Sequence, residues 1–179
     1  MELSDRDLLT IYLAAFLLIL SVAAFFVFRQ ILKTTKIEKT LARLEKKLKN
    51  ERGTVQEYYE LGSIYLDKKM FAQAIIMQKK ALKADDLDPA EIAPIHNALG
   101  YAYFGQEQYD VAIRQYKEAI KLDPEYVMAM NNLGHAYEQK KLTSQALDMY
   151  EQTLEIEPKN ETAKRRSDSL RRRLVVSSK

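Results

Sequence analysis

The chain has 179 residues, no cysteine, no tryptophan, two histidines and a net charge of +3 at pH 7. This length suits one folded domain with an appendage. Without cysteine there is no disulfide framework, thiolate metal site or cysteine nucleophile, and two histidines are too few for a zinc centre. By segment, the net charge is −2 over residues 1–28, +6 over 29–54, −6 over 55–160 and +5 over 161–179. The composition thus argues against redox and zinc chemistry and indicates four differently charged segments.

An uninterrupted apolar run covers residues 8–28, after a short N-terminal tail of residues 1–7. As a helix this run would be about 31 Å long, which matches the hydrocarbon core of a bilayer. We predict one transmembrane helix, with membrane lipid around it. A cleaved signal peptide is the alternative, because Ser21, Val22 and Ala23 resemble a cleavage motif, but no basic region precedes the run and apolar residues continue beyond it.

Basic residues lie mainly on the C-terminal side of this run. Arg29, Lys33 and Lys36 follow it closely, whereas three acidic residues and Arg6 precede it. The positive-inside rule then places everything after residue 29 in the cytoplasm or its equivalent. The sequence therefore predicts a single-pass protein with its C-terminal domain on that side.

Residues 29–54 form a basic amphipathic stalk. Ile37, Leu41, Leu44 and Leu48 are spaced four, three and four residues apart, so they share one face of a helix. Such a stripe suits a coiled-coil seam, which would make a homo-oligomer, or a linker helix that docks on the following domain or on anionic lipid. Two heptads are too short to decide, and we favour the linker helix.

An internal repeat of about 34 residues occupies residues 55–160. Each unit has a Leu-Gly pair, a tyrosine three residues later and an alanine twelve residues after the glycine. In a helix-turn-helix unit, glycine and alanine let the two helices approach closely, while leucine and tyrosine fill the space between them. The repeat-defining residues are Leu61, Gly62, Tyr65, Ala74 and Ala81 in the first unit, Leu99, Gly100, Tyr103, Ala112, Ala119 and Pro124 in the second, and Leu133, Gly134, Tyr137, Ala146 and Pro158 in the third.

This pattern resembles the tetratricopeptide repeat, whose register gives units at residues 55–88, 93–126 and 127–160. The resemblance implies an all-α fold in which three helical repeats form a superhelix behind the membrane helix. The first unit has Asp86 where the closing proline belongs, and four residues, 89–92, are inserted after it, so we expect a longer loop near residues 85–89. His96 stands where an aromatic core residue is expected, and we interpret it as a core residue.

Residues 161–179 predict a basic capping helix and tail. Ala163, Ser167, Leu170 and Leu174 fall on one helical face and basic residues occupy the rest, as in the solvating cap of a repeat array. The basic cluster also suits anionic lipid or an acidic partner. Nucleic acid is not a predicted partner, because the adjoining repeats are acidic and no stacking platform accompanies the arginines.

The first helices of stacked repeats line a concave groove that receives a segment of a partner protein. Aromatic and methionine side chains beside amides suit an apolar peptide segment. The cationic clamp of chaperone-binding tetratricopeptide domains is not expected, since its places hold Tyr59, Met128 and Asn132. In the family's register the groove residues are Tyr59, Ser63, Leu66, Asn97, Tyr101, Phe104, Met128, Asn131, His135 and Glu138.

Catalysis has little support. The glycines are isolated, so no phosphate-binding loop is present, and no Ser-His-Asp or paired-carboxylate arrangement stands out. The acidic run at Asp85, Asp86 and Asp88 lacks the glycine and terminal glutamate of an EF-hand loop, so we interpret it as a solvated loop. We predict no enzyme activity, no metal and no cofactor.

The layout of the whole chain resembles the thylakoid tetratricopeptide proteins of cyanobacteria and plastids that assist photosystem I assembly. Residues 58–86 and the N-terminal span carry this resemblance. It implies a thylakoid membrane protein whose repeats face the cytosol or stroma, where they hold photosystem I subunits or intermediates during assembly or stabilise the finished complex. The alternatives are a scaffold or receptor subunit of a secretion, pilus or import machine, and lipid-surface or oligomeric scaffolding by the stalk and tail.

Overall fold

The fold is given by a computed structural model that describes residues 5–85 and 87–177, without the side chains of residues 5–8 and 175–177. Part of the predicted N-terminal tail, the end of the C-terminal tail and Asp86 therefore lie outside the described residues. Every regular element in the described part is a helix. The all-α prediction is confirmed. The chain divides into two compact units, residues 1–46 and residues 47–179.

Helix α1, Asp5–Asn50, contains the predicted span and most of the predicted stalk. Its most apolar window has a mean hydropathy of 2.7, and none of that window is buried. Within the described residues, α1 is the one helix long and apolar enough to cross a bilayer, so it is a candidate membrane span. The helix continues without a break from the apolar run into the basic stalk. The role of the stalk's apolar stripe stays a prediction.

Three helix pairs follow in the second unit. Each pair packs internally, and each second helix also contacts the first helix of the next pair. The first helices contact one another along the array, so they form one layer. The pairs are α2 Val55–Asp67 with α3 Phe71–Ala81, α4 Pro89–Gly105 with α5 Tyr109–Leu122, and α6 Val127–Gln139 with α7 Thr143–Ile156.

The residues inserted before the second repeat form helix. Residues 89–92 make the first turn of α4, because Asp88 and Glu91 form a reciprocal capping box and Pro89 suits the first helical position. The predicted longer connection is present at residues 82–88, but the inserted residues are not part of it; α3 instead ends early, at Ala81. Helix α4 therefore begins at Pro89, four residues before the position where the register starts the second repeat.

Small residues let the helices of each pair approach closely. A Cβ atom on Gly100 would lie 2.5 Å from the ring of Tyr116, and one on Gly134 would lie 2.8 Å from the ring of Tyr150. Tyr103 is partly buried, and Pro124 and Pro158 are exposed in the connections. The other repeat-defining residues are buried: Leu61, Gly62, Tyr65, Ala74, Ala81, Leu99, Gly100, Ala112, Ala119, Leu133, Gly134, Tyr137 and Ala146.

His96 takes part in the packing of the second repeat. It is partly buried, and its Nδ1 lies 2.8 Å from Oε1 of Gln115 on α5. The amide oxygen can only accept, so Nδ1 carries the proton. His96 thus links the two helices of its repeat by a hydrogen bond.

Helix α8, Glu161–Ser177, covers the end of the array and contacts α7. Ala163, Ser167 and Leu170 are buried, and Leu174 is partly buried. The backbone N–H of Ala163 donates to Oδ1 of Asn160, which caps the start of the helix. The apolar face of α8 therefore packs on the array while its basic residues surround that face.

Candidate protein-binding groove

The first helices of the second and third repeats form an aromatic cavity. Tyr101 and Phe104 come from α4 and His135 from α6, and the ring centroids of Phe104 and His135 lie 4.8 Å apart. Tyr101 is 49% exposed, so the cavity can be reached from solvent. The volume is about 240 Å³, and the lining residues are Phe71, Tyr101, Phe104, Gly105, Tyr116, Asn132 and His135.

His135 presents a mainly uncharged ring to this cavity. Burial and the nearby Arg166 guanidinium lower the pKa of the imidazole, against an opposing effect of Glu138. At neutral pH the ring is therefore mostly neutral, and its Nε2 lies 3.3 Å from the side-chain nitrogen of Gln139. Phe104, on the other side, packs edge to face on Tyr109. The cavity is thus aromatic and carries little charge of its own.

Amide side chains connect α4 to α6. Asn132 donates to Oδ1 of Asn97 at 2.9 Å, and Asn97 donates to the hydroxyl of Tyr126 at 3.4 Å. Asn97 is only 7% exposed, so it supports the wall of the groove and offers little surface to a partner. Asn131 donates to Oδ1 of Asn160 at 3.4 Å, while its own Oδ1 is buried without a partner among the described residues.

Four other predicted groove residues lie on the same layer but outside the aromatic cavity. Tyr59 lines a separate cleft between α2 and α4. The Ser63 hydroxyl donates to the backbone carbonyl of Tyr59, and Leu66 is partly buried. Met128 is 59% exposed near the start of α6. The structure therefore divides the predicted set into an aromatic cavity, a cleft and further positions that range from buried to exposed.

Glu138 connects three helices. It accepts a hydrogen bond from the Tyr150 hydroxyl at 2.8 Å, and its other oxygen lies 3.6 Å from the Arg166 guanidinium. Burial raises the pKa of Tyr150 above its ordinary value, and the hydrogen bond to Glu138 adds to that effect. Glu138 therefore holds α6 to α7 and α8.

Four residues of the aromatic cavity are absent from the predicted groove set: Phe71, Gly105, Tyr116 and Asn132. Phe71 reaches the cavity from the repeat before, and a Cβ atom on Gly105 would lie 2.4 Å from the Phe71 ring. In the family's register, Asn132 stands at a position of the cationic clamp and not of the groove set. Tyr109 holds the position in the second repeat that Phe71 holds in the first. An aromatic residue that recurs at the start of the second helix is the sequence pattern that could have predicted Phe71 in the cavity.

The cleft between α2 and α4 combines apolar walls with carboxylates. Its volume is about 410 Å³, and the extra turn of α4 supplies part of its wall. The side-chain nitrogen of Gln56 donates to Oε1 of Glu91 at 2.6 Å, which joins the two helices beside it. The lining residues are Val55, Gln56, Tyr59, Glu60, Ala90, Glu91, Pro94 and Ile95.

The first helices are acidic throughout. The sequences of α2, α4 and α6 contain no lysine or arginine, and their acidic residues are Glu57, Glu60, Asp67, Glu91 and Glu138. In the part of the chain that the structure describes, no group of three or more His, Cys, Asp or Glu side chains is arranged to hold a metal ion. The first helices therefore supply no lysine or arginine with which to bind a terminal carboxylate.

Family profiles match the repeats. A profile described as "TPR repeat" matches residues 100–141, and one described as "Tetratricopeptide repeat" matches residues 58–86 and 129–160. Among solved structures, MamA superposes with a TM-score of 0.69 at 26% identity, covering 77% of this chain and 78% of MamA. The first TPR domain of RPAP3, bound to an HSP90 peptide, gives a TM-score of 0.62 at 24% identity, covering 70% of this chain and 96% of that domain. These matches confirm the fold.

Relatives in photosynthetic eukaryotes cover most of the chain. The ycf37 protein of Cyanophora paradoxa is 37% identical over 128 residues, which are 72% of this chain and 74% of that protein. The tetratricopeptide repeat domain-containing protein PYG7, chloroplastic, of Arabidopsis thaliana is 34% identical over 73% of this chain but only 44% of its own length. The ycf37 protein of Guillardia theta is 32% identical and covered over 69% of its length. The chain therefore belongs to the ycf37 family of tetratricopeptide repeat proteins.

Proposed function

We propose that the chain is a membrane-anchored assembly factor that holds photosystem I subunits or assembly intermediates against its first helices. The observation that carries the proposal is the aromatic cavity at Tyr101, Phe104 and His135, which is built across two repeats and open to solvent. Such a cavity suits an apolar side chain of a partner segment, because buried aromatic contacts supply much of the energy of protein interfaces.

The candidate membrane span supports the proposed membrane anchorage. Helix α1 would confine the repeats to the bilayer surface, and the basic stalk would place them on the cytosolic or stromal side. Confinement raises the effective concentration of repeats near a membrane complex, so weak and transient contacts suffice. The relative PYG7 is chloroplastic, which favours the thylakoid as the membrane.

The absence of basic residues from α2, α4 and α6 narrows the binding mode. A groove without lysine or arginine does not suit a partner's C-terminal carboxylate, so we propose recognition of an internal segment. Tetratricopeptide arrays act as binding scaffolds. The proposed role accordingly contains no catalytic step.

The test is purification of the tagged full-length protein from its native membrane in mild detergent, with mass spectrometry of the subunits that accompany it. We expect substoichiometric photosystem I intermediates. Tyr101→Ala with Phe104→Ala should lower their recovery by about tenfold, because two aromatic contacts are removed. Ile76→Ala with Ile156→Ala, at exposed sites on the outer helices α3 and α7, is the matched control and should leave recovery unchanged.

Phe104 also packs on its neighbours, so a second variant separates binding from folding. Tyr101→Ser with Met128→Ser alters two side chains that are about half exposed and should lower recovery while circular dichroism stays helical. Normal capture by both groove variants would contradict the groove. Stoichiometric purification with a secretion, pilus or import machine would contradict the photosystem I assignment and favour the scaffold alternative.

A further inference from the structure

We infer that the cleft between α2 and α4 receives a lysine or arginine side chain from a basic, membrane-adjacent segment of the partner. The inference rests on the proposed function, because it names the partner chemistry of the same layer of helices. It concerns a different site from the aromatic cavity, so the two can fail separately.

The cleft has the two surfaces that a long cationic side chain requires. Tyr59, Pro94 and Ile95 give it apolar walls, while Glu60 and Glu91 place carboxylates along it. Lysine and arginine bury an aliphatic stem against apolar surface and keep the charged head at a polar edge. A volume of about 410 Å³ accommodates such a side chain together with neighbouring atoms of its backbone. Glu60 and Glu91 give the edge of the cleft negative charge, which favours a cationic head group over a purely apolar side chain.

The carboxylate of Glu91 is already held in position. One oxygen accepts from Gln56 at 2.6 Å, and the other lies 3.3 Å from the backbone nitrogen of Asp88 in the capping box. A group fixed before binding loses little conformational entropy when the partner arrives. Glu91 thus gives the cleft an ordered negative charge.

The inserted turn of α4 is what creates this site. It supplies Ala90 and Glu91, which have no counterpart in the other two repeats. Pro94 has no N–H, so the carbonyl of Ala90 lacks its usual helical donor. Ala90 and Pro94 both line the cleft.

Charge decides which partner segment fits. The repeats carry a net charge of −6, and their first helices carry no basic residue. An acidic segment would be repelled and a basic one attracted. By the positive-inside rule, segments next to membrane spans are rich in lysine and arginine on the side where we propose the repeats to lie. Such segments therefore have the charge that the cleft requires.

The test uses the full-length protein in neutral detergent micelles and two fluorescent helical peptides. The peptides share their leucine positions, and one has lysine wherever the other has glutamine. We expect the lysine peptide to bind more tightly, and Glu60→Gln with Glu91→Gln to weaken its binding by about tenfold without changing that of the glutamine peptide. Glutamine at position 91 keeps an oxygen for the capping box, so the helix start is retained.

Glu118→Gln with Glu155→Gln is the matched control, since it removes the same charge from exposed sites on α5 and α7. We expect less than about a twofold change, because exposed charges outside an interface contribute little. An equal weakening in the control would overturn the inference, since attraction to the whole domain would then suffice. A peptide of residues 161–179 tests whether the cleft binds a second copy of this chain. If this peptide binds more tightly than the lysine peptide, and Glu60→Gln with Glu91→Gln removes that binding, the cleft is assigned to a second copy and the inference is overturned.

Purification from native membranes separates the inference from the proposed function. Normal partner recovery with Glu60→Gln and Glu91→Gln, but not with Tyr101→Ala and Phe104→Ala, would overturn the inference and leave the proposed function intact. Loss in both variants supports both. Loss only in the cleft variant would support the inference and contradict the aromatic groove.

Discussion

The first repeat differs from the second and third where its two helices meet. Gln78 takes the place that Tyr116 and Tyr150 hold in the later repeats, and all three side chains are at most 1% exposed. Each faces a glycine on the first helix of its repeat. The same close approach of two helices is therefore filled by a rigid ring in two repeats and by a flexible amide in one.

The two solutions differ in how well the buried polar atoms are satisfied. In the third repeat, the Tyr150 hydroxyl donates to Glu138 at 2.8 Å. In the first, the Gln78 side-chain nitrogen lies 3.4 Å from the carbonyl of Tyr59, and its Oε1 is buried without a partner among the described residues. An unsatisfied buried polar atom destabilises the folded state. We therefore expect the first repeat to be the least stable of the three.

High pH should give the largest difference between the repeats in what they contribute to the free energy of unfolding. Burial raises the pKa of Tyr116 and of Tyr150 above the ordinary value of 10.0. The unfolded chain loses these protons near pH 10 while the folded chain keeps them. The free energy of unfolding should therefore be unaffected by these groups below about pH 10 and fall above it, by about 1.4 kcal/mol per pH unit for each tyrosine.

Urea unfolding of the full-length protein in detergent, between pH 9 and pH 11, checks this dependence. Tyr116→Phe and Tyr150→Phe should each reduce the fall above about pH 10 by about 1.4 kcal/mol per pH unit. Gln78 has no ionisable group, so the first repeat contributes nothing at this position. Equal pH dependence in the wild type and both variants would contradict the assignment.

Adding a methyl group where the two helices meet should lower the free energy of unfolding by different amounts in the first and second repeats. This difference should be smaller than the one at high pH. Gly100→Ala drives a Cβ atom to 2.5 Å from the rigid Tyr116 ring, and we expect a loss of about 2 kcal/mol. Gly62→Ala meets the end of the flexible Gln78 side chain, also at 2.5 Å, and should cost less than about 1 kcal/mol, since alanine also favours the helix. Thermal unfolding measures both, and a larger loss at Gly62 would reverse the comparison.

The smallest change in stability is expected from replacing the buried amide of Gln78. Gln78→Met keeps the length of the side chain and removes the unsatisfied oxygen, so we expect a gain of about 1 kcal/mol in the free energy of unfolding. Gln73→Met, on the exposed face of the same helix, is the control and should leave stability within about 0.5 kcal/mol. A loss of stability at position 78 would show that the weak bond to Tyr59 outweighs the unsatisfied atom.

Part of the groove could be predicted from the repeat register. Tyr101, Phe104 and His135 have positions that the register assigns to the groove, and they meet in one cavity. Asn97 has an equivalent position but is buried, because its amide is hydrogen-bonded to Asn132 of the next repeat and to Tyr126 at the end of its own repeat. A register describes one repeat at a time, so it does not reveal which side chains a neighbouring repeat covers.

The inserted turn at residues 89–92 is a second feature in which the structure differs from the sequence prediction. The signal for a helix start was present, since Asp88, Pro89 and Glu91 are a capping residue, a first-position proline and a capping-box glutamate. The spacing of the repeat instead predicts a longer loop near residues 85–89. Local capping favours a helix start at Pro89, whereas repeat spacing favours a later one, and packing decides between them. Here the extra turn packs beside α2 and forms part of the cleft.

The sequence by itself determined the helical class, the apolar span and the three-repeat array, because apolar runs and the spacing of glycine, alanine and tyrosine are local patterns. Only the tertiary structure decided which groove residues are reachable, that Phe71 joins a cavity of the following repeats, and that the inserted turn builds a cleft with Glu60 and Glu91. These features depend on contacts between different repeats, and such contacts arise only when the helices are stacked.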